Sequence, residues 1–306
     1  QQLRIFFSKG DGTFAASASF PLGHAVESLL MVDLDGDGSQ DVLVGLEDGT
    51  VAPFYGNGRG TLAADPAIPA SGKVAGIVAG DFNNDRRLDL ALATGTDAMV
   101  LRQTAARVFG SISHLVTGKE PNSLATGDFS GDGKLDLAVA NQTDGTVSLF
   151  QGDGIGGFKA LQALKSARTP SQVLLADSDK DGLADLFVVA PGALGQLDNV
   201  DRFAAVKGGP FAAASPLGVV GSQIWGASLA DFDLDGNLDC AELSGDPLVV
   251  RRGTAGGMFL APASVTSGVA FSVSFASADF TGDGLVDLAI ADLSLNQVAV
   301  VLNTSE

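Results

Sequence analysis

Six segments of the chain repeat one acidic spacing: DLDGDGSQD from Asp33, DFNNDRRLD from Asp81, DFSGDGKLD from Asp128, DSDKDGLAD from Asp177, DFDLDGNLD from Asp231 and DFTGDGLVD from Asp279. Position 1 is Asp33, Asp81, Asp128, Asp177, Asp231 and Asp279. Position 5 is Asp37, Asp85, Asp132, Asp181, Asp235 and Asp283, and position 9 is Asp41, Asp89, Asp136, Asp185, Asp239 and Asp287. Position 3 is always an oxygen donor: Asp35, Asn83, Ser130, Asp179, Asp233 and Thr281. The backbone carbonyl of position 7, from Ser39, Arg87, Lys134, Leu183, Asn237 or Leu285, would complete an all-oxygen shell. Such a donor set suits a hard cation, and Ca2+ above all, with up to six ions per chain. Glycine at position 6, as in Gly38, lets the backbone turn back where a side chain would clash. A single Asp/Gly-rich turn is commonly metal-free. Six copies that keep three carboxylates in register argue for metal.

An EF-hand opens with the same spacing but needs a carboxylate at position 12 and flanking helices. Position 12 is Val44, Leu92, Val139, Val188, Glu242 and Ile290, so only the fifth copy complies. The segments after the loops, such as DVLVG, DLALA and DLAVA, are short apolar runs without helical periodicity. Each loop is therefore expected to join two strands, which excludes paired dockerin-type loops as well.

The first aspartates lie 48, 47, 49, 54 and 48 residues apart. A fixed period of this length with four short strands per unit predicts an all-β propeller of four-stranded antiparallel blades. In the third copy, SLATG, DLAVAN, TVSLFQG and the stretch after GDGIGGF read as strands A, B, C and D. Motif count gives six blades in one domain over residues 1–306. Strand C is represented seven times, so seven is the alternative. The chain opens with LRIFFSKGDGTF, which reads as strand C and the turn before strand D. The last repeat supplies A, B and C, and the N-terminal segment is expected to close the ring as its missing strand.

Forty glycines in 306 residues punctuate many short strands. The formal net charge of −18 argues against nucleic acid as a partner. Twenty-one of the 36 acidic residues lie in the six loops, so most of the acidity reads as ligand charge. Cys240 is the lone cysteine and stands where other copies have Val42, Leu90, Leu137, Leu186 and Leu288, which predicts a buried strand residue. There is no apolar run of membrane-spanning length. Calcium sites and the Gln1 start without a leader read as a processed protein outside the cell or at its surface.

The segment DFSGDGKLDLAVAN followed by GDGIGGF resembles the FG-GAP (VCBS) repeats of integrin α-subunit propellers and of secreted bacterial proteins. The resemblance covers almost the whole chain. It implies Ca2+ in the A–B hairpin loops on one face and a partner on the opposite face. The loop from Asp81 departs most, with Asn83 at position 3 and Arg86 at position 6. By carboxylate count the loops from Asp33, Asp177 and Asp231 are expected to bind most tightly.

Catalytic patterns are absent from the sequence. His24 and His114 are placed in a loop and a D strand, and no G-x-S-x-G elbow or phosphate loop occurs. Six residues before the first aspartate, Glu27, Asn122 and Trp225 mark the end of strand A away from the loop. Trp225 reads either as a ligand anchor or as packing between blades. The reading is a monomeric, calcium-binding adhesion or binding module for a protein or glycan. A carbohydrate-active propeller, either a lectin or a polysaccharide lyase or hydrolase, is the alternative.

Overall fold

A computed structural model describes residues 1–166, 168–191, 199–209, 211–217, 224–244, 248–267, 269, 272–292 and 297–304; the side chains of 16–18, 272 and 273 lie outside it. Every regular element among the described residues is a strand, and no helix is long and apolar enough to cross a membrane. In chain order, β1 (Gln2–Ser8) and β2 (Phe14–Pro21) pair with each other. The next sheet holds β3 (Val26–Val32), β4 (Asp41–Leu46), β5 (Thr50–Gly56), β6 (Leu62–Ala64) and β7 (Ile68–Pro69). It is followed by β8 (Gly76–Gly80), β9 (Asp89–Ala93), β10 (Ala98–Ala105) and β11 (Val108–Leu115). The third repeat gives β12 (Pro121–Gly127), β13 (Asp136–Asn141), β14 (Thr146–Gly152), β15 (Phe158–Ala160) and β16 (Leu164–Lys165). The fourth gives β17 (Gln172–Ala176), β18 (Asp185–Ala190), β19 (Asn199–Phe203) and β20 (Ser215–Pro216). The fifth gives β21 (Gly226–Ala230), β22 (Asp239–Leu243), β23 (Leu248–Arg251) and β26 (Ala263–Val265), with β24 (Gly253–Thr254) and β25 (Met258–Phe259) as a small extra hairpin. The sixth holds β27 (Ser272–Ala278), β28 (Asp287–Asp292) and β29 (Gln297–Val301).

Each repeat is an up-and-down meander, and each acidic loop joins strand A to strand B as expected. The B strands β4, β9, β13, β18 and β22 are buried along their whole length. Their sequences are near-continuous apolar runs because both faces of a blade pack on neighbours, which removes the in/out alternation of a half-exposed strand. Cys240 is buried on β22, where the repeat pattern places it.

The chain is a β-propeller of seven blade sheets among the described residues, rather than the six of the motif count. The difference lies in the first 21 residues. They hold both a C and a D strand, so β1 and β2 satisfy each other, and β29 pairs only with β28. The expected closure, with the N-terminal segment paired to the last repeat as its missing strand, is not seen among the described residues. Position-2 carbonyls show why β1 counts as a blade strand. Leu34 O accepts from Gln103 Nε2 (3.1 Å), Phe82 O from Gly156 N (3.0 Å) and Phe232 O from Asn303 Nδ2 (2.6 Å), donors that lie near the end of the next repeat's C strand or just past it. Phe280 O accepts from Ser8 Oγ of β1 (2.8 Å), so β1 stands to the sixth loop as the next repeat's C strand stands to the first, second and fifth.

Packing groups the residues into two compact units. One comprises Gln1–Ile5, Ser17–Leu175 and Lys207–Gly209; the other comprises Phe6–Ala16, Ala176–Val206 and Pro210–Glu306. In the first, Leu43, Val51, Leu90, Leu92 and Leu101 pack between the first two loop-bearing sheets. Phe82, Val100, Leu124, Leu137 and Phe150 fill the space between the second and third. In the second unit, Phe232, Leu243, Leu248, Leu288 and Ile290 form the core between the fifth and sixth repeats.

Candidate metal centres

The six loops share one hydrogen-bonding plan. Position 6 takes a left-handed conformation throughout, with φ of 86° at Gly38, 80° at Gly133, 89° at Gly182, 85° at Gly236 and 89° at Gly284. Arg86 adopts φ of 70°, so the second loop keeps the turn without glycine. Position 4 is left-handed as well, at Gly36, Asn84, Gly131, Lys180, Leu234 and Gly282, which the sequence pattern did not mark. The two turns bring backbone N–H groups inward. The N–H of position 6 donates to Oδ2 of the position-1 aspartate in all six loops, at 2.7–2.9 Å. The N–H of position 7 donates to Oδ1 of the position-5 aspartate in all six, at 2.7–3.1 Å.

Position 9 is a clamp. Its aspartate is fully buried in every loop. One oxygen accepts from the N–H of position 2, for example Leu34 to Asp41 (2.9 Å) and Phe232 to Asp239 (2.9 Å). The other accepts from the end of strand C, as in Gly56 to Asp41 (2.8 Å), Gly152 to Asp136 (2.9 Å), Gly253 to Asp239 (2.7 Å) and Asn303 to Asp287 (2.7 Å). Burial pushes the carboxyls of Asp41, Asp89, Asp136 and Asp239 above their ordinary range, and the backbone donors oppose that shift. At position 1, the donor N–H groups of Gly284 and Gly282 outweigh a slight desolvation and hold Asp279 below its ordinary range.

Carboxylate oxygens converge in three loops: Asp33, Asp35 and Asp37; Asp177, Asp179 and Asp181; and Asp231, Asp233 and Asp239, with one oxygen of each lying within 4.8 Å of the others. These are the three loops with four aspartates. The fifth loop fits a hard divalent cation best. Asp231 Oδ1, at position 1, is buried there with no hydrogen-bond partner; in the fourth loop it is Asp179 Oδ1, at position 3, that is left so. In the other five loops the position-1 Oδ1 accepts at least one backbone N–H, for example from Gly36, Asp85, Gly131, Asp181 and Gly282. An orphaned buried carboxylate oxygen is costly unless a cation or donor meets it.

Basic side chains attend the loops unequally. Arg107, at the tip of the β10–β11 hairpin, donates through Nε (2.8 Å) and Nη2 (2.6 Å) to Asp35 Oδ2, and its guanidinium lies 4.1 Å from the Tyr55 ring centroid. Burial, with Asp65 nearby, raises the Tyr55 hydroxyl to about 12. Arg87 and Lys134, both at position 7, reach Asp85 (2.5 Å) and Asp132 (3.4 Å). Arg202 reaches Asp179 and Asp185 from strand β19, each at 2.7 Å. The mostly exposed Arg252 lies 3.4 Å from Asp233. None of these pairs between distant residues was legible in the loop spacing. Glu242, at position 12 of the fifth copy, points away from EF-hand chemistry: it is buried on β22 and its Oε1 accepts from Arg251 Nε (2.7 Å).

The loop spacing is matched by the sequence model of the FG-GAP-like repeat, over residues 1–44, 33–92 and 107–188. The chain belongs to the FG-GAP-like repeat family. Comparison with curated proteins finds no match. Among solved structures, this FG-GAP-like propeller is similar to a lectin of Agrocybe aegerita, described as recognising non-reducing terminal N-acetylglucosamine. The TM-score is 0.65 at 17% identity, over 92% of this chain and 78% of the lectin. It is also similar to BBS1N, solved in complex with ARL6DN, with TM-score 0.62 at 15% identity, over 92% of this chain and 79% of that one. A third likeness, TM-score 0.51 at 19% identity, is to the Tc holotoxin pore of Photorhabdus luminescens, of which only 14% is covered. At these identities the likeness is one of fold.

At the opposite end of strand A from each acidic loop, the three singled-out residues differ. Trp225 immediately precedes β21 and is 42% exposed; its N–H donates to Leu243 O (2.7 Å). The side chain is thus partly exposed rather than fully buried. Asn122, second in β12, donates through Nδ2 to Ser171 O (3.3 Å) and Pro170 O (3.4 Å). Glu27, second in β3, lies 3.7 Å from Lys73 Nζ. The two histidines each meet an aspartate, His24 with Asp48 (3.3 Å) and His114 with Asp97 (2.6 Å).

Proposed function

We propose that this FG-GAP-like propeller is a calcium-stabilised binding module that works outside the cell or at its surface. The observation that carries the calcium reading is the fifth loop. There, three carboxylates converge, and the buried Asp231 Oδ1 lacks any donor. Calcium's preference for six to eight oxygens at a flexible site matches carboxylates of positions 1, 3, 5 and 9 with the carbonyl of Asn237. Extracellular calcium is abundant enough to hold sites of modest affinity, which supports the setting.

The ligand is a protein or a glycan, taken at the ends of the A strands away from the acidic loops. Solved relatives of the same fold include a lectin and a propeller in complex with another protein. Trp225 favours the glycan side of this reading, because an exposed indole offers a flat apolar platform with one polar edge. A glycan array probed with and without Ca2+, using the native chain and Trp225→Ala, tests the reading. Binding that needs Trp225 supports a glycan ligand at that end. Binding unchanged in Trp225→Ala rejects the tryptophan as its anchor, and an array without any hit turns the search to protein partners.

A further inference from the structure

The fourth loop, from Asp177, has four aspartates and a position-6 glycine like the fifth, yet its surroundings differ at one strand position. In the ladders between strands B and C, Arg202 faces Phe187. The equivalent C-strand residues are Pro53, Val100, Leu149, Val250 and Val300, facing Leu43, Ala91, Ala138, Ala241 and Ala289. An arginine thus stands where every other repeat has an apolar residue.

Its side chain is only 9% exposed and enters the loop. Nη2 donates to Asp179 Oδ2 (2.7 Å) and Asp185 Oδ2 (2.7 Å). Nε donates to Ser178 Oγ (2.7 Å) and Asp185 Oδ2 (3.1 Å). Ser178 is the second local change: position 2 is Leu34, Phe82, Phe129, Phe232 and Phe280 elsewhere. The small hydroxyl makes room for the guanidinium and itself donates to Asp185. Gly257, in the β24–β25 turn, closes over the group; a Cβ there would come within 2.5 Å of Arg202 Nη2.

The consequence is a count of lone pairs. Asp185 Oδ2 accepts from Ser178 N, Ser178 Oγ, Arg202 Nε and Arg202 Nη2. A carboxylate oxygen so occupied has nothing left for a metal. Its other oxygen takes the N–H of Ala205 (2.8 Å). Position 3 has lost Asp179 Oδ2 to the same guanidinium, while its Oδ1 is buried with no hydrogen-bond partner. In the fifth loop, by contrast, Asp239 Oδ2 meets only the N–H of Phe232 (2.9 Å) among the described residues, and Asp239 joins the converging set.

We propose that Arg202 is the resident cation of the fourth loop and sets its selectivity, so that this loop takes calcium at least a hundredfold more weakly than the fifth. The inference rests on the calcium reading of the other loops. Equilibrium dialysis of the full chain against 45Ca2+, at a concentration that saturates the fifth loop, tests both separately. Asp231→Asn should lower the ion count by one. Asp177→Asn, which leaves Arg202 in place, should not change it. Arg202→Met should raise the count by one, and Asp177→Asn in that background should remove the gain. A loss of one ion in Asp177→Asn alone overturns the role of Arg202 and leaves the calcium reading standing. An Arg202→Met protein that folds, by its melting transition, yet gains no ion overturns it too. A chain that binds no calcium at any loop overturns the calcium reading and this inference with it.

Discussion

The fourth and fifth loops carry aspartate at positions 1, 3, 5 and 9 and glycine at position 6, and they lie in one compact unit. In the fourth, four donors converge on a single oxygen of Asp185. In the fifth, Asp231 Oδ1 is buried with no donor at all. Equal carboxylate counts therefore do not make equal sites. What separates the two is how a positive charge meets the carboxylates: a buried, hydrogen-bonded Arg202 from strand β19 in the fourth, an exposed Arg252 3.4 Å from Asp233 in the fifth.

The comparison is broken most severely at position 9. Asp185→Ala would strip Arg202 of its main partner and leave its buried charge with Asp179 alone, a loss of about 3 kcal/mol or more. Asp239→Ala would orphan only the N–H groups of Phe232 and Gly253, at about 1–3 kcal/mol each. Urea unfolding in chelator should rank Asp185→Ala as the less stable of the two. Equal midpoints would mean that Arg202 is not held by this carboxylate.

Arg202→Met sharpens the same contrast. In chelator it should cost about 3–5 kcal/mol, because Asp179 and Asp185 lose their counter-charge. Added Ca2+ should restore roughly 2–3 kcal/mol of that at a hundredfold excess over Kd. The exposed Arg252 beside the fifth loop should behave differently, with Arg252→Met changing stability by less than about 0.5 kcal/mol. Thermal melts of both variants with and without calcium check the pair.

The second loop offers a smaller effect of opposite sign. Arg86 holds φ of 70° where the other loops have glycine. Arg86→Gly should stabilise by about 1 kcal/mol, since a left-handed L-residue costs roughly 1–2 kcal/mol and glycine's extra chain entropy returns part of it. A destabilised variant would mean that the Arg86 side chain makes a contact worth more than its backbone strain. Trp225→Ala should have the least effect, under about 1 kcal/mol, because the indole is 42% exposed. A loss of several kcal/mol would support the packing role.

Much of this was legible in the residues. The period, the strands either side of each loop and the left-handed turn at position 6 follow from Asp and Gly spacing alone. Seven occurrences of strand C pointed to the seventh sheet, which β1 and β2 form. Position 4 stayed hidden because Leu234 and Lys180 adopt the left-handed conformation without any glycine to announce it. Position 9 is legible only as a ligand, since spacing cannot say that its two oxygens accept backbone N–H groups from position 2 of the loop and from the end of strand C. Arg202 and Ser178 were visible as breaks in the repeat, yet only the three-dimensional register brings them together at one aspartate. Trp225 was placed by repeat position, and its exposure came from the fold.

The central claim is that calcium holds this propeller together through its acidic loops. The most direct measurement is the melting curve of the fully chelated chain before and after Ca2+ is restored, with Asp231→Asn alongside. Each saturated site should add about 2.7 kcal/mol at a hundredfold excess over Kd, so the native chain should melt many degrees higher with calcium. Asp231→Asn should show a smaller rise. Superimposable curves for the native chain with and without Ca2+ would contradict the account.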